Sequence, residues 1–208
     1  MSSDIPSPAK MRAQGREWAT ASGVFHPPSL DTNYPDPDDA RKVSLSVTRS
    51  LRFTSLTQPS ASQTESRSNH WAIFWEVGTA IDPVEGEPKR QSTIIRRIEL
   101  VIERGQVSGQ GPPVAKYVYW CPKTTHLGQR TAGPFTSFPL GTLSKDARDE
   151  LERLAGAVPV FDPELAKDWN CQDWLKELLD NAVKAGVIDS ATCDIAVKSA
   201  VEIQPIFL

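Results

Sequence analysis

Apolar and polar positions change rhythm part-way along this chain. Up to about residue 143 the ordered stretches alternate with a period of two, and beyond it apolar residues recur at helical spacing. The first forty or so residues show neither rhythm. They are rich in Pro, Ser and Asp, with Tyr34-Pro35-Asp36-Pro37-Asp38-Asp39 as the clearest structureless run. Residues 1–41 are therefore expected to be a flexible lead segment, with at most a short helix over 10–20, ahead of a single domain over 42–208.

Within that domain, alternation and a wealth of Val, Leu, Thr and Phe predict a strand over residues 43–56. A Ser/Gln/Thr-rich loop follows over 57–68. His70-Trp71-Ala72-Ile73-Phe74-Trp75-Glu76-Val77 predicts a second strand, closed by Gly78. Another is expected over 92–103, with Ile94, Arg96, Ile98, Leu100 and Ile102 on one face and Arg97 and Glu99 on the other. Residues 114–120 read as a strand, 122–134 as a loop and 135–143 as a short strand.

Ser144 then caps a helix over 146–155, with Leu151 and Leu154 facing inward and Gly156 stopping it. After an extended connector over 158–163, apolar spacing predicts a helix from Cys171 to about Ala185, with Gly186 as its C′ glycine. A last helix, capped by Asp189 or Ser190, runs to about Ala200. Strands first and helices afterwards predict an α+β fold, a small antiparallel sheet packed by C-terminal helices.

Composition narrows the chemistry. A chain of 208 residues suits one domain, and a net charge of −3 argues against binding dominated by nucleic acid or an anionic membrane. Three cysteines at wide spacing make no disulfide framework. No stretch resembles a signal peptide or a membrane span, so a reducing, cytoplasmic setting with free thiols is expected. Cys121 and His126 lack a second pair of ligands, and Gly109-Gln110-Gly111 runs into Pro112-Pro113 and not into a helix. Neither a metal nor a cofactor is expected. Arg96-Arg97 lies in a strand of mixed charge and makes no basic groove. Cys193 reads as a core residue of the last helix.

The run Trp169-Asn170-Cys171-Gln172-Asp173-Trp174 carries the chemistry that remains. Asn170 is a good N-cap, and Asp173 puts an acidic group in the first turn. A thiol at that position feels unpaired backbone N–H groups and the positive end of the helix dipole, both of which favour the nucleophilic thiolate. Cys171 also shares a helix face with Leu175 and Leu178, which turns it toward the domain. The simpler alternative is a small buried residue beside a core helix. Of three histidines, His26 lies in the lead segment and His126 in a Thr/Gly loop, whereas His70 begins a strand. Cys171 and His70 are thus the two parts of an activated thiol.

Asn69-His70-Trp71-Ala72-Ile73, followed about a hundred residues later by Asn170-Cys171-Gln172-Asp173-Trp174-Leu175, resembles the circularly permuted papain-like arrangement. That group includes lecithin:retinol acyltransferase-like proteins and PPPDE-type thiol isopeptidases, in which the histidine strand precedes the cysteine helix. The closer likeness is to fungal proteins that share an Asn-His-Trp strand and a Cys-x-x-Trp helix. The resemblance spans about residues 43–188. It implies a hydrolase or acyltransferase acting on an amide, isopeptide or ester of a small molecule or a peptide, through a Cys171 thioester with His70 as base. A catalytically inactive interaction module on the same fold is the alternative.

The third polar group of such sites comes from the next strand, where Gln91, Ser92, Arg97 and Glu99 are all within reach of a plausible register. The acyltransferase relatives often carry a second histidine near this strand, and this chain has none. Backbone N–H groups of Cys171 and Gln172 are expected oxyanion donors, with Asn170 and Gln172 as orienting neighbours. Trp71 and Trp174 are candidates to line an apolar substrate cleft, although packing between strands and helices accounts for the same indoles.

Overall fold

The computed structural model describes residues 15–24, 26–49, 51–52, 69–82, 90–106, 114–127, 135–161, 169–203 and 206–207. Its centre is a five-stranded sheet in the order β7-β4-β3-β1-β8. The strands are β1 (Arg41–Thr48), β3 (His70–Asp82), β4 (Arg90–Glu99), β7 (Lys123–His126) and β8 (Phe135–Leu143). Every neighbouring pair is antiparallel. A short parallel pair joins β2 (Leu51–Arg52) to β9 (Ile206–Phe207), and an antiparallel pair joins β5 (Val101–Gly105) to β6 (Val114–Val118). The helices are α1 (Arg16–Ala21), α2 (Lys145–Ala155), α3 (Cys171–Lys184) and α4 (Ser190–Val201). The mixed α+β class, with a small antiparallel sheet and C-terminal helices, is the one expected.

Alternation decides which face of the sheet the helices cover. Val43, Leu45 and Val47 of β1 and Trp71, Ile73 and Trp75 of β3 are buried, and they join Leu151, Trp174, Leu175, Leu178, Leu179, Cys193 and Ala196 of the helices in one core. His70, Ala72 and Phe74 therefore belong to the opposite face, together with Ser44, Ser46 and Thr48 of β1. A bulge between Glu76 and Gly78 reverses the parity of β3, so that Ala80 is buried beyond it. Gly78 does not end the strand. A Cβ there would meet the Tyr34 ring at 3.3 Å, which makes a close approach of the lead segment the reason for the glycine.

Other boundaries move for tertiary reasons. The expected strand over 92–103 divides at buried Leu100: β4 pairs within the main sheet, and β5 leaves it to pair with β6. Ile102 is consequently 57% exposed, not a core residue. The supposed loop over 122–134 contains β7, paired to β4 from Ile94↔His126 to Arg97↔Lys123.

Where it is described, the lead segment is bonded to the domain. Leu30 N–H donates to the Thr124 carbonyl at 2.9 Å, and Arg96 pairs with Asp31 at 2.7 Å. Fully buried Arg148 of α2 donates to Asp36 at 3.1 Å, to the carbonyls of Asp39 at 3.0 Å and Leu143 at 2.9 Å, and to the Pro37 carbonyl. Trp75 Nε1 donates to the same Asp36 at 2.7 Å. The segment has too few apolar residues to form a core of its own. Its aspartates and carbonyls instead neutralise buried arginines of the domain, which composition alone does not reveal. Residues 1–14 lie outside the described residues.

Candidate active site

The start of α3 is built by a reciprocal cap. Asn170 Oδ1 accepts from the Gln172 N–H at 2.8 Å, and the Asp173 carboxylate accepts from the Asn170 N–H at 2.9 Å. Trp174, Leu175, Leu178, Leu179 and Ala182 bury the helix against the sheet. Gln172 then ties its first turn to β3, donating from Nε2 to the Asn69 carbonyl at 2.9 Å. Asn69 is itself held by donating to the Ile203 carbonyl at 2.7 Å. The residue before His70 and the residue after Cys171 are thus hydrogen-bonded to each other, which brings the two chemical groups together across a hundred residues.

Cys171 is partly exposed, and the His70 ring acts on its thiol. Burial pushes its thiol up. That is outweighed by the His70 hydrogen bond and charge and by the backbone N–H groups of Trp71 and of Cys171 itself, so the net displacement is downward. Trp71 lies one residue beyond the last Ala72↔Glu99 pair of the β3–β4 ladder, where a main-chain N–H can serve the sulfur in place of a neighbouring strand.

The third member of the cluster is Glu99. His70 Nε2 lies 2.9 Å from Glu99 Oε2, leaving Nδ1 as the ring nitrogen for the thiol. Glu99 is only 6% exposed, and it also accepts from Arg97 and lies 3.1 Å from Lys123 Nζ. A buried carboxylate that faces Arg97 and Lys123 as well as the His70 ring can hold that imidazole in one orientation. Of the four residues considered for this place, Arg97 and Glu99 share the face of His70, and only Glu99 bonds its ring, Arg97 bonding Glu99 instead. Glu99 is the cross-strand partner of Ala72, on the same face as His70, whereas Gln91 and Ser92 pair with Ile81 and Ala80 toward the far end of β3. Burial lowers the Arg97 guanidinium to about 10, so it remains cationic at neutral pH.

Several other expected roles change. The Gln172 N–H is occupied by the Asn170 cap and the Gln172 side chain by the Asn69 carbonyl, so neither is free as an oxyanion donor; Asn170 acts as the cap. Trp71 and Trp174 are 1% and 0% exposed and line no open cleft. Trp174 packs against Tyr119 at a centroid distance of 5.0 Å, and Lys176 Nζ sits 5.6 Å from the Trp71 ring. A shallow open groove lies instead on the other face of the sheet, lined by Ser46, Thr48, Ala72, Phe74, Ile95, Arg97, Leu127 and Phe135. Sequence inspection missed it because those residues come from separate strands. The available signal was the apolar Phe74 and Ile95 among polar residues of the outward parity.

The remaining thiols and imidazoles have other partners. His26 sits between the Pro27 and Trp120 carbonyls at 2.6 Å and 3.0 Å, and His126 Nδ1 is 2.8 Å from Ser92 Oγ. Cys121 accepts from Arg16 at 3.0 Å, and Cys193 is buried in the core of α4. Among the described residues no group of three or more His, Cys, Asp or Glu side chains is placed to hold a metal ion, and no helix is long and apolar enough to cross a membrane. Comparison with protein-family models, with curated proteins and with solved structures finds no match to this chain.

Proposed function

We propose that this protein is a cysteine-dependent hydrolase or acyltransferase acting on an amide, isopeptide or ester, in a permuted papain-like arrangement. The observation that carries the reading is the Gln172–Asn69 hydrogen bond, which sets the start of α3 beside His70, together with the Glu99 carboxylate 2.9 Å from the His70 ring. Strand-borne histidine before helix-borne cysteine is the order of the permuted group.

In this mechanism Cys171 reacts as thiolate beside the His70 imidazolium. The sulfur attacks the substrate carbonyl carbon, a C–S bond forms, and the negative charge moves to the carbonyl oxygen, where the Cys171 N–H is the backbone donor at hand. The carbonyl reforms as the C–N or C–O bond breaks, and His70 gives its proton to the departing nitrogen or oxygen. A thioester remains. Water, or an acceptor hydroxyl or amine, then loses its proton to His70 and attacks the thioester carbon, breaking the C–S bond and restoring thiolate and imidazolium. Glu99 holds the imidazole in position and stabilises its charged form without taking the proton.

The test is the pH dependence of iodoacetamide labelling at each cysteine, read by peptide mass spectrometry in the wild type and in His70→Ala. Rapid labelling of Cys171 well below the ordinary thiol pKa of about 8.5, lost without His70, is the expected result. Cys171 labelling that is slow, or equal in both proteins, would overturn the reading and favour a non-catalytic interaction module.

A further inference from the structure

Cross-strand register organises the face of the sheet opposite the C-terminal helices into rows that begin at the reactive groups. Phe135, Thr48 and His70 form one row across β8, β1 and β3. Ser46, Ala72 and Glu99 form the next, and Phe74 and Arg97 belong to the one after that. The groove occupies this area, so its near end is made by the direct neighbours of His70 and Glu99.

The outward face of an antiparallel sheet is ordinarily polar. Here Ser44, Ser46 and Thr48 follow that rule on β1. The departures are Phe74, Ile95 and Phe135, which gather around the groove. The Phe74 and Phe135 rings pack edge to face at 6.0 Å and form an aromatic wall. Ser46 Oγ is turned inward onto the Ala72 carbonyl at 3.0 Å, which leaves the groove floor beside these rings apolar. Arg97 closes one side. Its Nη2 donates to Glu99, while its buried Nε–H has no partner among the described residues and suits an acceptor oxygen on a ligand.

The geometry points to a specificity groove: the substrate carries an aromatic or branched apolar group a few bonds from the reacting carbonyl, laid against the joined Phe74–Phe135 wall with Arg97 on its other side. Phe135 is two strands from His70, about 10 Å at the spacing of neighbouring strands. A phenylethyl or isopentyl group extends along the groove toward that wall, whereas an acetyl group stays at the His70 end. The proposal deepens the reading of Cys171 as nucleophile and rests on it. It selects peptide-like or aryl-alkyl substrates over small polar amides.

Two chloroacetamides serve as probes, one with an N-methyl and one with an N-phenethyl substituent. In each, the Cys171 sulfur displaces chloride, forming a C–S bond as the C–Cl bond breaks. Rates at Cys171 are measured by peptide mass spectrometry and divided by those at free N-acetylcysteine, which removes intrinsic reactivity. The expected phenethyl-to-methyl ratio is about tenfold or more, the scale set by burying a phenyl ring. Phe135→Ala, which removes part of the wall, and Thr48→Phe, which fills the near end, should each bring the ratio toward one. A wild-type ratio near one overturns the specificity groove, as does a high ratio that survives both substitutions. Circular dichroism shows whether each variant is folded, and either folded variant decides the matter. The pH profile and His70 dependence of the methyl probe report separately on the thiolate. Slow, His70-independent methyl labelling with a high phenethyl ratio therefore overturns the catalytic reading and supports the groove, and the converse pattern does the reverse.

Discussion

Cys171 and Cys121 both have a basic side chain acting on the sulfur, yet their thiols are displaced in opposite directions. Cys171 has His70, the Trp71 N–H and its own helix-start N–H, and together they outweigh burial and pull it down. Cys121 has Arg16 at 3.0 Å, but burial outweighs the guanidinium and Glu152 adds a like charge, so it is pushed up. Cys121 also sits at φ 83°, in a left-handed position between β6 and β7 and not at a helix start. A cation alone does not make a reactive thiol. Several donors must converge on the sulfur in a site that remains partly open.

The two cysteines carry opposite signs in pH-dependent stability. The fold prefers the Cys171 thiolate, so that contribution is complete above the ordinary thiol pKa and is lost as pH falls through the lowered value. The fold prefers the Cys121 thiol, whose contribution is complete below the ordinary pKa and is lost as pH rises through the raised value.

The largest expected effect comes from deleting each sulfur in turn. Cys171→Ala should lower turnover of an ester or amide substrate by about a thousandfold or more, while Cys121→Ala leaves it unchanged. Steady-state hydrolysis assays on both variants check this, and undiminished turnover in Cys171→Ala would sink the mechanism. Next in size is His70→Ala, in which burial acts on Cys171 with less opposition. Iodoacetamide labelling at pH 7 should slow by about ten- to a hundredfold at Cys171, for a loss of one to two pKa units, with Cys121 unaffected.

Glu99→Gln keeps the shape but removes the charge that supports the imidazolium. Labelling of Cys171 should slow by about three- to tenfold and its midpoint should move upward, both read from the pH profile. An unshifted profile would mean that Glu99 serves only Arg97 and Lys123. The smallest effect belongs to Arg16→Ala. It removes a group that lowers Cys121, whose labelling near pH 8 should slow by about threefold at most, with Cys171 unchanged. Faster labelling of Cys121 in that variant would show that Arg16 shields the sulfur sterically and does not tune it.

Part of the site was legible before any tertiary structure. Asn170 and Asp173 announced a capped helix, and the capping box is formed. His70 announced the start of a strand, and β3 begins there. The contacts of the lead segment were not legible, because counter-ions leave no periodic trace: nothing near Asp31 or Asp36 in the chain foretells Arg96 or Arg148. The indoles Trp71 and Trp174 were ambiguous because an aromatic at a strand or helix start packs a core as readily as it lines a cleft. Burial assigns both to the core.

The sequence by itself determined the helices, their caps and the cores of most strands, since periodicity and caps are interactions between residues a few positions apart. It placed a thiol at a helix start and an imidazole at a strand start. Only the tertiary structure decided that Glu99 stands behind His70, that the Gln172 N–H is already spent on its cap, and that the open groove lies on the face bearing Phe74 and not on the face bearing Trp71. Each of these depends on strand register and on which side of the sheet the helices cover. A slip of one residue would exchange the two faces, and only the packing of α2, α3 and α4 on the Val43–Leu45–Val47 side forbids that slip.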